Sequence, residues 1–341
     1  MASPFFSIII PVYNTEQYLS RALDSILNQS FDTEKIEVII INDGSPNTVL
    51  CDSIIDDFSK KLHIIYKKKV ENEGPFLARK TGVFLAKGAY SLFLDPDDEY
   101  VSKTCKTLYK VIGNTRTKID FIQFNTYLTE KNNKTIKYKY PICNHKTLDS
   151  FLASGDAIPV WDKCYNTLFI KAVCQKMPDF FAVMCEDYYQ AVILGYHAQH
   201  TLHINDYLHK YHIQIGVSAT KTYSDYETFL KMTQSVENVF FYLFDFFHKE
   251  NVTKYDEYLK QKQRSFYVNA LQKTTNQEVL LQIVQKLDTK EILQYILCKM
   301  QQETEYVNNQ LDIYDSLRPL ARLLNKPVKL LRIVKRKLKR K

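Results

Sequence analysis

The chain has 341 residues, of which 45% are hydrophobic and 25% are charged, and these ordinary fractions exclude a disordered or fibrous protein. The net charge of +8 is concentrated at one end, because residues 326–341 contain nine lysines and arginines and no acid. The rest of the chain carries 37 basic and 38 acidic residues, a balance that does not suggest nucleic-acid binding.

The cysteines and the hydrophobic segments indicate a reduced, cytoplasmic protein. The seven cysteines are odd in number and none forms a C-x-x-C pair, which argues against a disulfide framework and a zinc site. No run of about 18 apolar residues is present, so no membrane-spanning helix is predicted. The first residues lack the basic and apolar segments of a signal peptide, and none is expected.

Residues 5–94 alternate apolar, strand-like runs with segments of helical periodicity. Near-continuous apolar strands separated by helices are typical of a parallel sheet that is covered on both faces. In such sheets ligands bind at the carboxyl ends of the strands. The predicted strands are 5–11, 36–41, 62–66 and 90–94, and the predicted helices are one capped by Thr15, then 49–58 and 74–86.

The pattern is less regular after residue 119 and becomes wholly helical after residue 223. Residues 119–128 indicate a strand, 130–140 an exposed hairpin or loop, 186–195 a helix, and 202–212 a strand or hairpin. No glycine or proline stands between Tyr223 and Ser316, which favours a helical C-terminal region.

Three carboxylates follow the fourth predicted strand within the segment Leu94–Asp98. Carboxylates this close repel one another unless a cation lies between them. Mg²⁺ and Mn²⁺ prefer oxygen ligands and often join carboxylates to substrate phosphates. The alternative is a plain acidic turn, where Asp and Pro are common. Tyr13, Asn14 and Asp43 follow the first two strands, so all of these polar groups are expected at one edge of the sheet.

The order and spacing of four segments carry a resemblance to a known family. They read IIIPVYN, VIIINDGS, NEGPFLARKTG and LDPDD, at residues 8–14, 38–45, 72–82 and 94–98. This arrangement resembles the glycosyltransferases of family 2, which are inverting, nucleotide-sugar-dependent enzymes with the GT-A fold. The resemblance implies an α/β protein with a Rossmann-like, mostly parallel sheet and flanking helices. On this basis we expect a GT-A catalytic domain at 1–220, a helical C-terminal region at 221–325 and a basic amphipathic tail at 326–341.

The resemblance assigns seven residues to the nucleotide sugar. Tyr13 would border a uracil pocket, and Asp43 would accept a hydrogen bond from the N3–H of uracil. Arg79 would lie near the diphosphate or the acidic motif, and a structural salt bridge to Asp95 or Asp97 is compatible with that role. Alternatively, Tyr13 and Asp43 are ordinary turn residues. The full set is Pro11, Tyr13, Asn14, Asp43, Asn72, Arg79 and Asp95.

The resemblance also implies a Mn²⁺ or Mg²⁺ ion at the acidic motif, which would act as a Lewis acid toward the leaving diphosphate. Asp97 matches the family's metal ligand, and Asp95 would lie near the ribose or the metal. Pro96 replaces a small residue of the family and would stiffen the turn through its fixed φ. His212 is a candidate for an additional contact with the metal or a phosphate.

An inverting transfer needs a general base for the acceptor hydroxyl. Glu186 and Asp187 match an acidic pair that opens a helix in the family, and we expect Asp187 to be the base, with Glu186 as the alternative. Both acids could instead serve only to stabilise the helix N-terminus. Trp161 matches an aromatic residue between the two acidic motifs, and it would either pack against an acceptor sugar or fill the core.

These assignments predict an inverting glycosyltransferase. It would move a sugar from a nucleotide sugar, UDP-linked by expectation, to a hydroxyl of a glycan or lipid-linked acceptor in bacterial surface polysaccharide or lipooligosaccharide synthesis. Two other classes stay open. A nucleotidyltransferase also places acids at strand ends, but it usually has a Gly-rich basic loop where PVYN stands here. The second class is a non-catalytic nucleotide-sugar-binding or assembly module.

The basic tail can form an amphipathic helix that begins at Pro327. Leu330, Leu331, Val334 and Leu338 line one face, and lysines and arginines line the other. Such helices lie on anionic membrane surfaces, so we expect a peripheral location on the inner face of the cytoplasmic membrane. The alternative is a solvated, partly disordered end.

Overall fold

A computed structural model describes residues 3–130, 134–139, 148–149, 159–213, 226–274 and 276–287. The chain falls into two compact units, one formed by the residues up to 221 together with 241–243, the other by the remainder. The domain limits at 220 and 325 stay predictions, and the predicted tail lies outside the described residues.

The first unit contains a single sheet, for which the described residues supply nine strands. They are β1 (Phe6–Val12), β2 (Ile36–Asn42), β3 (His63–Lys68), β4 (Tyr90–Phe93), β5 (Glu99–Tyr100), β6 (Phe121–Thr129), β7 (Thr135–Tyr138), β8 (Lys163–Asn166) and β9 (Thr201–His212). Their order along the sheet is β3-β2-β1-β4-β8-β6-β9-β5, with β7 paired to β6.

Helices connect the strands of this sheet. They are α1 (Glu16–Leu27), α2 (Val49–Phe58), α3 (Pro75–Leu85), α4 (Thr104–Gly113), α5 (Thr167–Cys174) and α6 (Glu186–His197), with a short 3-10 helix at Thr33–Lys35. Further helices follow at α7 (Tyr226–Lys249), α8 (Asp256–Lys273) and α9 (Gln277–Lys286). The helical C-terminal region predicted from the sequence is confirmed over these residues.

The half of the sheet formed by β1 to β4 is parallel, as the apolar runs predicted. β1 pairs in parallel with β2 and β4, and β2 pairs in parallel with β3. Every residue of β1 and β2 is buried, because helices cover both faces of the central strands. This burial explains the three consecutive isoleucines from Ile8 to Ile10 and the three from Ile39 to Ile41.

The other half of the sheet is mixed. β8 is inserted between β4 and β6 and runs antiparallel to both, and β9 pairs in parallel with β6 and antiparallel with β5. β8 and α5 were not predicted from the sequence. The strand Lys163–Asn166 has only two apolar residues in four, so it lacks the continuous apolar run of the central strands.

Helix α1 packs against the sheet through its apolar face, with Leu19, Leu23 and Ile26 fully buried. Thr15 occupies the N-cap position, as predicted, but its side chain makes no capping hydrogen bond. The expected side-chain cap is therefore wrong. Glu16 in the first turn carries the favourable interaction with the helix dipole.

The second unit is helical in its described part. Its buried residues on α7 recur at helical spacing, at Phe229, Met232, Val236, Val239 and Phe240. Within the described residues, no helix is both long enough and apolar enough to cross a membrane.

Candidate active site

The candidate site lies at the carboxyl ends of the parallel strands. Val12 and Asn42 are register partners at the ends of β1 and β2, and the backbone N–H of Asp43 donates to the Val12 carbonyl at 2.8 Å. The N–H of Leu94 donates to the Ile9 carbonyl at 3.0 Å, which keeps the acidic motif beside the same edge. The sequence prediction that these polar groups share one edge of the sheet agrees with this register.

Asp43 is buried at this edge and is held from two sides. Its Oδ2 accepts a hydrogen bond from the backbone N–H of Gly74 at 2.8 Å, and the Lys69 ammonium lies 3.2 Å from Oδ1. Burial raises the pKa of the Asp43 carboxyl, and the charge of Lys69 partly offsets this effect. Gly74 has φ +91°, a left-handed conformation that places its N–H toward Asp43 at the start of α3.

Four other residues assigned to the nucleotide lie at the end of β1 or just before α3. Pro11 is buried in β1, and Tyr13 is 41% exposed just beyond the strand. Asn14 has φ +53°, and its N–H donates to the Ser45 hydroxyl at 3.2 Å, which joins the two strand-end turns. Asn72 is half-buried shortly before Gly74. An exposed aromatic ring beside a buried carboxylate can stack on and hydrogen-bond a flat heterocycle.

Three of the four acids from Asp95 to Glu99 have positively charged or imidazole partners. Asp95 is paired with Arg79 at 3.1 Å. Asp98 is buried, lies 3.4 Å from His209 Nε2 and accepts from the backbone N–H of His212 at 2.9 Å. Glu99 contacts His212 at 2.7 Å, and this pairing holds the pKa of Glu99 down at about 2.

Asp97 is the exception among these acids. In the described part of the chain, no basic side chain forms an ion pair with its carboxylate. Burial, and then the charges of Asp98 and Asp95, raise the pKa of Asp97 to about 7. A crowded carboxylate without a cationic partner fits a bound divalent cation, because the ion would supply the missing positive charge.

The structure does not bring together a complete set of protein ligands. Among the described residues, no three Asp, Glu, His or Cys side chains are grouped closely enough to hold a metal ion. His212, a candidate third ligand, is engaged with Glu99 instead. Mg²⁺ and Mn²⁺ sites commonly use one or two carboxylates and take their other ligands from phosphates and water. Asp97 and Asp95 fit that mode.

Arg79 links the acidic motif to the predicted base. Its guanidinium is almost fully buried, donates to Asp95 at 3.1 Å and to Asp187, and lies 3.7 Å from Glu186. Burial opposes its charge, but the three carboxylates outweigh this effect and raise the pKa of Arg79. The predicted salt bridge from Arg79 to Asp95 is present. The acids after β4 and those at the start of α6 therefore meet at one arginine.

Asp187 lies in the first turn of α6, and Cys185 before it adopts a left-handed conformation with φ +63°. Burial raises the pKa of Asp187 to about 7, even though Arg79 lowers it; Glu186 and Asp95 raise it further. A carboxylate with a pKa near neutrality can both take up and release a proton under physiological conditions. That is the behaviour required of a general base.

Sequence reasoning missed the part that His209 plays behind the acidic motif. His209 is fully buried between Asp98 and the ring of Trp161, which stacks on it at 4.4 Å and 22°. Trp161 also stacks on Tyr211 at 5.3 Å, and it is buried. His209 and Tyr211 are two residues apart on β9, so they share one face of the strand. This spacing of two residues was the sequence signal from which a shared face for His209 and Tyr211 could have been predicted.

The family comparison covers the residues that build this site. The sequence model described as "Glycosyl transferase family 2" matches residues 7–184, which is more than half of the chain. The match includes both strand-end turns, Arg79 and the whole acidic motif, and it ends two residues before Glu186.

Two curated proteins that are similar to the chain come from Bacillus species. The chain is 35% identical over 127 residues to "Minor teichoic acid biosynthesis protein GgaB" of Bacillus subtilis, which is 37% of this chain and 14% of that protein. It is 38% identical over 94 residues to "Poly(ribitol-phosphate) beta-glucosyltransferase" of Bacillus spizizenii, which is 27% of this chain and 14% of that protein. The chain thus spans a small part of the length of these relatives.

Solved structures with a similar fold include two of Staphylococcus aureus TarS 1-349. The complex with UDP-GlcNAc gives a TM-score of 0.58 at 18% identity and covers 94% of this chain and 83% of that chain. The complex with UDP gives 0.54 at 19% identity, with 86% and 78% covered. At such low identity the likeness concerns the fold alone, and the predicted GT-A fold is confirmed.

Proposed function

Because the chain belongs to glycosyl transferase family 2, we propose that it transfers a sugar from a UDP-sugar to an acceptor hydroxyl with inversion at the anomeric carbon. The observation that carries this proposal is the convergence of Asp95, Asp187 and Glu186 on the buried guanidinium of Arg79. This convergence supports a candidate base close to an acid that would hold the donor diphosphate through a metal ion.

The residues of the site have different roles in such a transfer. Asp43 accepts a hydrogen bond from the imide N–H of the nucleobase, and Tyr13 covers the ring of the nucleobase on its solvent side. Asp97, with Asp95, would hold Mn²⁺ or Mg²⁺, and the ion would neutralise charge on the leaving diphosphate. Asp187 removes the proton from the acceptor hydroxyl. The hydroxyl oxygen then bonds to the anomeric carbon of the sugar as the bond between that carbon and the diphosphate breaks.

The acceptor is proposed to be a growing cell-surface polymer or a lipid-linked glycan. Two similar proteins are named for teichoic acid synthesis and for poly(ribitol-phosphate) glucosylation, and a protein of similar fold was crystallised with UDP-GlcNAc. These names support a UDP-linked donor and a polymeric acceptor. The basic tail at 326–341 would hold the enzyme on the inner membrane surface, where lipid-linked acceptors are located.

The test is turnover of a panel of UDP-sugars by the full chain with Mn²⁺, measured as UDP release with and without teichoic acid or lipid-linked glycan acceptors. We expect one UDP-sugar to be consumed faster when acceptor is present. The Asp187→Asn variant should lose about 10²–10⁴-fold in rate, the usual contribution of a general base. Asp179→Asn is the matched control, because the Asp179 side chain is 71% exposed and pairs with Lys80, and it should keep wild-type activity.

Two outcomes would contradict parts of the proposal. If no UDP-sugar of the panel is consumed under any acceptor condition, the proposed transfer from a UDP-sugar is contradicted and the binding-module alternative is favoured. If Asp187→Asn keeps full activity while Glu186→Gln loses it, the reaction is right but the base is the neighbouring acid.

A further inference from the structure

Helix α1 carries a polar stripe that contacts the chain segment following the acidic motif. Its members are Arg21, Ser25 and Gln29, spaced four residues apart, with Gln29 just beyond the helix end. Residues at this spacing lie on one face of a helix. A neighbouring face of the helix is apolar, and Leu19 and Ile26 on it are buried.

Ser25 and Gln29 hold backbone groups rather than side chains. The Ser25 hydroxyl accepts from the N–H of Tyr100 at 3.1 Å. The Gln29 amide donates to the Val101 carbonyl at 2.9 Å and accepts from the N–H of Cys105 at 3.0 Å. Buried backbone polar groups need partners, so this stripe fixes where the chain runs after the acidic motif.

Arg21 reaches the acidic motif itself. Its guanidinium donates to the backbone carbonyl of Asp97, and its Nε lies 3.8 Å from the carboxylate of Glu99. The Arg21 side chain is 33% exposed, so a substitution there does not open the core. Glu99 is also held by His212, which contacts the same Oε1 atom, and by Lys210, which lies 3.3 Å from Oε2.

We propose that Arg21 is a positioning residue for the metal site, which holds the backbone of Asp97 so that its carboxylate meets the cation. The proposal rests on the proposed function, in which Asp97 is the metal ligand. The position and the charge of Arg21 have opposite effects on metal binding. A positive guanidinium beside a cation site weakens metal binding by repulsion, whereas fixing the ligand strengthens it. The geometry favours fixing, because the contact is made to the carbonyl oxygen of the ligand residue.

The experiment is calorimetric titration of Mn²⁺ into the full chain, without nucleotide and then with UDP. Arg21→Gln removes the charge and shortens the reach, and we expect it to weaken Mn²⁺ binding by about tenfold, within the range for lost outer-shell contacts. Arg21→Lys keeps the charge but not the planar fork, and should also weaken binding, by a smaller factor. Lys210→Gln is the matched control, because it removes a positive charge from the same Glu99 without a contact to Asp97.

The outcomes separate position from charge. Unchanged or tighter Mn²⁺ binding by Arg21→Gln would overturn the inference. Tighter binding by both Arg21→Gln and Lys210→Gln would show that only the charge matters. If Arg21→Gln does not fold, Arg21→Lys decides, and wild-type affinity in it contradicts the proposal. If the wild-type chain binds no Mn²⁺ in either condition, the metal site of the proposed function fails, and the inference falls with it.

Discussion

At the scale of single residues, the candidate site depends on one buried arginine. Arg79 neutralises carboxylates that are 16 and 108 residues away in the sequence, at Asp95 and Asp187. Breaking a buried charge pair by removing one partner commonly costs several kcal/mol, because the other charge stays buried. The position of Arg79 therefore couples the folding of the acidic motif to that of helix α6.

The pH dependence of turnover follows from the raised pKa of Asp187. With a pKa of about 7, the carboxylate gains a proton as the pH falls below neutrality and can then no longer accept the acceptor's proton. We expect kcat/KM to fall tenfold per pH unit below about 7 and to level off above it. The measurement is the pH profile of UDP release with saturating metal.

The control for this profile is the Asp187→Asn variant, whose residual turnover should lack that acidic limb. A wild-type profile that stays flat from pH 8 to pH 5 would contradict the assignment of Asp187 as the base.

At the scale of secondary-structure elements, the central strands could be predicted from the sequence because they are buried on both faces. The predicted strand 36–41 and helix 49–58 correspond closely to Ile36–Asn42 and Val49–Phe58. β8 escaped prediction because its polar side chains are satisfied internally, as with Lys163, which pairs with Asp162 at 2.5 Å. The pattern of apolar residues in a sequence does not reveal such buried ion pairs.

The same limit explains what sequence reasoning missed in the site. The predicted strand ends placed Asp43 and the acidic motif at one edge of the sheet, because parallel strands end at a shared edge, and the family resemblance placed Arg79 near the acidic motif. It could not tell which late histidine meets which acid. β9 pairs antiparallel with the two-residue strand β5, with Glu99 opposite Lys210 and Tyr100 opposite His209. Asp98 therefore meets His209, and Glu99 meets His212, as diagonal neighbours across the two strands. A strand of two residues is too short to show a hydrophobic periodicity from which its pairing could be predicted.

The junction at the start of α3 gives a prediction at this scale. Gly74 has φ +91°, and a Cβ there would lie 2.6 Å from the Ala182 carbonyl oxygen. Gly74→Ala should therefore destabilise the fold by about 1–3 kcal/mol, the usual cost of a strained backbone conformation. It should also weaken UDP binding, because the Gly74 N–H holds Asp43. Urea unfolding and UDP calorimetry measure the two effects.

Gly113→Ala is the matched control, because a Cβ at that position would meet nothing within 4 Å. It should leave UDP binding unchanged and be neutral or stabilising by up to about 1 kcal/mol, since alanine favours helix more than glycine does. Equal stability of the two variants would show that the Gly74 conformation is not needed.

At the scale of the whole molecule, charge is distributed unevenly along the chain. The body is close to neutral, whereas residues 326–341 hold nine basic residues. Each lysine or arginine near an anionic membrane surface contributes about 1 kcal/mol of attraction. Deletion of residues 326–341 should therefore lower binding to vesicles that contain anionic lipid by more than about tenfold.

Vesicle sedimentation measures this effect, with vesicles of neutral lipid as the control that both chains should bind poorly. Retention of full binding to anionic vesicles after the deletion would contradict the prediction that residues 326–341 bind the membrane surface. UDP-sugar turnover with a soluble acceptor should be unaffected by the deletion, because every residue of the candidate site precedes residue 213.

We propose that the strand-end edge from Asp43 to Asp97 is a metal-assisted nucleotide site. Calorimetric titration of UDP into the wild-type chain and Asp97→Asn, each with and without Mn²⁺, tests this proposal. We predict that wild type binds UDP and binds it more tightly with Mn²⁺. Asp97→Asn should keep the metal-free affinity and lose the gain from Mn²⁺. Absence of UDP binding, or a Mn²⁺ gain that survives in Asp97→Asn, would contradict the account.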